Sequence, residues 1–129
     1  MAITTNAICN SFKKELLEGA HKFQAAPNGS TYKLAMFTNG ATLGKSTTGF
    51  STNPGGGSNT EVTSPSGYTS GGKALVNVGT SVATDTAITD FQDLSFVGVT
   101  LTARGALIYN TTTSGGSGTT DAVAVLDFG

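Results

Sequence analysis

The sequence predicts a mainly β protein: a small β-sandwich or barrel with one short N-terminal helix and long Gly/Ser/Thr-rich loops. It reads as a single domain, residues 1–129, whose first 26 or so residues form a helix or arm. Three observations predict this. Apolar residues arrive in short runs of Val, Ile, Leu, Phe and Tyr, which suit strands better than helices. The runs are divided by polar breaks dense in glycine, of which the chain has 18, and such breaks bound strands. A length of 129 residues suffices for one core.

The one helical segment is 10–19. Asn10 or Ser11 can cap it, Phe12 and Leu16 stack at i,i+4 with Leu17 beside them, and Gly19 can close it. A helix of two turns is marginal alone, so these apolar residues must pack on the chain's own sheet or on a neighbouring subunit. Tyr32–Thr38 reads as the first strand, with Tyr32, Leu34 and Met36 on one face and Ala35 and Phe37 on the other. Asn39 and Gly40 supply a turn.

From Lys45 to Gly72 the chain is rich in Ser, Thr, Gly and Pro, anchored only by Phe50, Val62 and Tyr68. Loops this long are surface excursions or binding elements. Strand pattern resumes at Lys73–Val78, with further strands expected at Val82–Ile88, Val97–Thr102 and Ala106–Tyr109. Residues 111–120 form a second polar loop. Ala122–Leu126, apolar on both faces, is expected to be a central final strand.

Charged residues make up 12% of the chain and the net charge is −1, against about 25% charged in ordinary domains, so the surface tolerates self-association. Residues 1–45 carry Lys13, Lys14, Lys22, Lys33 and Lys45 against Glu15 and Glu18, while the acidic groups dominate the remainder. Five lysines spread over that length are too dilute for a phosphate-binding patch, so no nucleic-acid partner is expected. The opening residues show neither a charged leader nor a long apolar run, so neither a secretory signal nor a membrane partner is expected and synthesis is placed in a cytoplasm. Cys9, the single cysteine, reads as a small buried hydrophobe.

No catalytic, cofactor or metal site is predicted. His21 is the one histidine, too few for a His-based metal cluster, and its place just after the helix suits a cationic ring beside the last carbonyls. Asp85, Asp90 and Asp93 match no calcium-loop spacing and suit turn capping. The runs Gly55-Gly56-Gly57 and Gly71-Gly72-Lys73 lack the Ser/Thr and the helix of a phosphate loop. Arg104, among apolar residues, calls for a carboxylate, and Asp90, Asp93 and Asp127 are the available partners for a structural ion pair.

Four stretches carry a resemblance: Gly67–Leu75, Asp90–Asp93, Thr102–Asn110 with its Thr-Ala-Arg-Gly-Ala-Leu-Ile-Tyr-Asn run, and Ala124–Gly129. With Phe12–Gly19 and Tyr32–Phe37, they make most of the chain similar to a family of small structural proteins of tailed bacteriophages. The resemblance implies a virion component on the capsid surface, a cement or decoration protein. Such a protein binds the major capsid protein, is often a trimer and is not an enzyme; a tail or fibre component is the alternative. Relatives often continue beyond Asp-Phe-Gly by another strand, which leaves the last sheet edge here open or covered by a neighbour. Phe12, Leu16, Leu17, Phe50, Val62 and Tyr68 are the expected partner-binding residues.

Overall fold

The computed structural model describes residues 3–57, 60–63, 67–112 and 120–129. Among these the order is β1 (Ala7–Ile8), α1 (Asn10–Leu17), β2 (Tyr32–Phe37), β3 (Lys73–Leu75), β4 (Asn77–Ala83), β5 (Thr86–Phe91), β6 (Gly105–Asn110) and β7 (Asp121–Asp127). The fold is mainly β and sandwich-like, as the sequence predicts, with two antiparallel sheets. One has five strands in the order β1-β7-β6-β2-β3, and the other is the hairpin β4-β5.

Register explains why β2, β6 and β7 stay together. Ala35 lies opposite Leu107 and Leu107 opposite Val125, which makes a row of three fully buried residues across the sheet. The next row, Met36, Ala106 and Leu126, points to the other side, because side chains alternate along a strand. The first side is covered by Ile3, Cys9 and Phe12; the second by Val62, Tyr68 and the partly buried Phe96, Val99 and Leu101. A slip of one residue would exchange the two apolar sets, so burial on both sides pins the pairing. Tyr32 joins the first side, stacked on Phe23 with centroids 4.7 Å apart, rather than the side of Leu34 and Met36.

Several elements differ from expectation. Helix α1 is capped by Cys9 without a side-chain hydrogen bond, and Asn10 and Ser11 lie inside it; the Ser11 hydroxyl donates to the Thr47 carbonyl at 3.4 Å instead. Gly19, at φ 77°, does close the helix. Residues from Ile3 onward are woven into the body, with β1 paired to β7 and Phe12 buried, so the segment is no separate arm. Val82–Ile88 is not one strand: the chain reverses at Thr84 and Asp85 and divides it between β4 and β5. Val97–Thr102 pairs with no strand among the described residues, and its Val99 and Leu101 serve as packing beneath the sheet.

The described residues of the 45–72 stretch lie along the sheet. Phe50 donates its N–H to Thr120 at 2.8 Å and Val62 donates to Met36 at 2.9 Å; residues 58, 59 and 64–66 lie outside the described residues, as do 113–119 of the second loop. Strand β7 is interior, as expected. Its outer side is covered by the chain itself, first by β1 and then by Thr48–Phe50, where Ala122 donates to Thr48 at 3.1 Å and Gly49 bridges Asp121. The edge expected to lie open or under a neighbour is therefore closed from within.

Candidate functional site

Two buried polar clusters and two surface features hold the chemistry of the described residues. In the first cluster Glu15 projects from α1, His21 follows the helix and Asp121 opens β7. Their ligand atoms all lie within 4.8 Å of one another, the single such group among the described residues. His21 Nε2 is 3.5 Å from Glu15 Oε1, with the histidine side chain fully buried.

Asn110 decides where the histidine proton sits. Its Oδ1 accepts the Thr112 N–H at 2.8 Å, so its Nδ2 faces the ring and donates to His21 Nδ1 at 3.0 Å. With Nδ1 accepting, the ring proton is assigned to Nε2, which points at Glu15. A metal would need the lone pair at that nitrogen, so the cluster as built is arranged around protons rather than an ion. Burial, then the charge of the neighbouring Asp121, raise the Glu15 pKa, with His21 pulling the other way. The His21 ring sits against Phe12, 4.8 Å between centroids.

In the second cluster the buried carboxylate of Glu61 accepts three hydrogen bonds: from the Tyr68 hydroxyl at 2.8 Å, the Gly71 N–H at 2.6 Å and the Ser70 hydroxyl at 2.9 Å. Such donors offset the desolvation of a carboxylate. The Tyr68 oxygen in turn accepts the Met36 N–H at 3.0 Å, and Tyr109 donates to the Gly71 carbonyl. Burial pushes the Tyr109 phenol up to about 12, with Glu61 adding to the shift. Gly72, at φ 86°, follows this knot where an added Cβ would meet the Leu34 carbonyl at 2.0 Å. Only glycine fits, and β3 joins β2 immediately after it.

Other site expectations resolve as follows. Arg104 does form an ion pair, with Asp127 at 3.3 Å, and its Nη2 donates to the Ile3 carbonyl at 2.7 Å. Asp90 and Asp93 are exposed and take no part in that pair. Cys9 is buried, and its thiol is pushed up to about 11 chiefly by burial, which suits the packing role. Of the expected contact residues, Phe12, Val62 and Tyr68 are core and Phe50 is half-buried against Tyr109, with rings 4.5 Å apart. Leu16 and Leu17 remain on the surface, Leu17 at 91% exposure.

The first surface feature is the β4-β5 hairpin. Its base is fixed: Asn77 Nδ2 donates to the Ser30 carbonyl at 2.7 Å, and the Phe91 ring meets Tyr32 at 5.7 Å. Beyond that base every residue from Thr80 to Asp90 is exposed, on both faces of the ribbon. The second is an open groove of about 940 Å³ at the opposite edge of the large sheet, lined by Ala7 and Ile8 of β1, the 42–49 stretch, and Lys13 and Lys45. Sequence reasoning missed both features, as it missed the Glu15–His21–Asp121 and Glu61 clusters.

No family model, no curated protein and no solved structure matches this chain. No helix among the described residues is long and apolar enough to cross a membrane.

Proposed function

We propose that this chain is a structural protein of a tailed-phage virion, a cement or decoration protein on the capsid surface. In this reading it acts as a homotrimer, binds the major capsid protein in the assembled shell and works by adhesion, without turnover. The resemblance in the Thr102–Asn110 run and its companion stretches supports the reading on the sequence side. The structural observation that carries it is the hairpin, a ribbon of exposed strand fixed at its base to a densely packed body. A two-stranded ribbon is marginal in water by itself, and a protein that displays one presents a surface suited to other chains.

The physical task fits such a surface. A binder that touches several shell subunits at once contributes a linkage free energy that exists only while those subunits are assembled. Cosedimentation of the purified chain with shells stripped of it tests this. Binding to assembled shells but not to free capsid subunits is the expected result, with many copies per particle. A few copies confined to the tail would move the chain to the tail or fibre, and its absence from purified particles would remove it from the virion altogether.

A further inference from the structure

We propose that the β4-β5 hairpin of one copy docks in the edge groove of the next copy, joining copies of this chain head to tail. The occupant is argued from charge, shape and placement. Residues 76–94 carry Asp85, Asp90 and Asp93 and no basic residue. The groove is lined by Lys13 and Lys45, both exposed, and by no acidic residue. The ribbon narrows to Asp85 at its tip, so the leading charge of the arm meets the two cations of the groove.

Apolar surface is matched as well. Val82 is 73% exposed and Ile88 42%, on opposite faces of the ribbon, since Val82 pairs with Ala87 and Ser81 with Ile88. The groove offers Ile8, 49% exposed, beside Leu43 and Pro54. A groove that takes the ribbon between its walls covers both faces at once, which a flat surface does not.

Placement then sets the symmetry. The hairpin leaves the body at β3, one edge of the five-stranded sheet, through the single residue Val76. The groove lies along β1, the other edge. Donor and acceptor surfaces are different and sit at opposite ends of the sheet, so the contact is heterologous, and repetition closes a ring or extends a filament. The proposal is independent of the virion reading: a chain that assembles in this way and ignores phage shells keeps the one and loses the other.

Analytical ultracentrifugation of the full chain across concentration tests it. The wild type is expected to assemble. Val82→Asp/Ile88→Asp, which blocks the arm, and Lys13→Glu/Lys45→Glu, which blocks the groove, are each expected to weaken assembly by about tenfold or more. Both pairs lie on exposed positions and should leave the far-UV circular dichroism unchanged. The decisive sample mixes the two variants: each supplies what the other lacks, so 1:1 dimers with one competent junction are expected. Should the aspartates disturb the ribbon, Asp85→Lys serves instead, weakening assembly alone and recovering it when mixed with Lys45→Glu. A wild type that stays monomeric at high concentration, variants that assemble like the wild type, or mixtures that remain monomeric would each overturn the proposal.

Discussion

The body and the hairpin use the same strand chemistry to opposite ends. In β6 and β7 the residues Ala106, Leu107 and Ala122–Val125 are buried, whereas in β4 and β5 Val78, Val82 and Ile88 are exposed. Both regions pair antiparallel through six or so consecutive residues. The difference lies in what covers them: coil and helix close both sides of the large sheet, and among the described residues nothing closes either side of the ribbon beyond its base. Strand pairing alone thus does not decide burial; the connections do, and the described residues of the 45–72 stretch are recruited to the large sheet.

The comparison breaks most easily at Phe37, which is fully buried in the body. Phe37→Ala is expected to cost about 3–5 kcal/mol in urea unfolding, the usual loss for a buried aromatic. A loss near zero would mean the body is no better packed than the arm.

A pH titration sharpens the contrast next. Because the folded-state pKa of Glu15 is raised, the native chain holds that proton more tightly than the unfolded one. Its contribution to stability is complete below the ordinary glutamate range and is lost as pH rises through the raised value, with a slope of at most about 1.4 kcal/mol per pH unit. Glu15→Gln imitates the protonated side chain towards His21 and Asp121, so it should remove that slope and exceed the parent in stability at higher pH. Parallel profiles for the two chains would contradict this, as would a slope that appears in hairpin amide exchange rather than in α1.

The smallest effect is expected at the ribbon's tip. Thr84 sits at φ 55°, a conformation that disfavours β-branched residues. Thr84→Gly should protect hairpin amides from exchange by about 1 kcal/mol while leaving the urea midpoint of the body unchanged.

These positions also show what was legible in the sequence. Tyr32–Phe37 and Ala122–Leu126 announce themselves because a strand buried on both sides is a continuous apolar run. The hairpin does not, because its turn at Thr84 and Asp85 contains no Gly, Asn or Pro to punctuate Val82–Ile88, and a threonine at positive φ leaves no trace in composition. Val97–Thr102 alternates like a strand, but only because Val99 and Leu101 face the sheet from unpaired coil. Arg104 was readable as half of an ion pair; the choice of Asp127 over Asp90 and Asp93 depends on β6 and β7 being neighbours. The Glu15–His21–Asp121 cluster joins residues from the two ends of the sequence, a contact no local pattern encodes. Phe12, Val62 and Tyr68 look like surface anchors when their loops are imagined free, and become core once those loops are laid on the sheet.

The position of β7 between β1 and β6 has a temporal consequence during synthesis. The ribbon is assembled from neighbours in sequence and is complete once residue 91 has emerged, while β1 has no partner until residues 124 and 125 arrive. Local pairings form early and distant ones late. A nascent chain therefore completes its ribbon before β1 can pair with β7, so the outer edge of the large sheet is the last part of the described body to close.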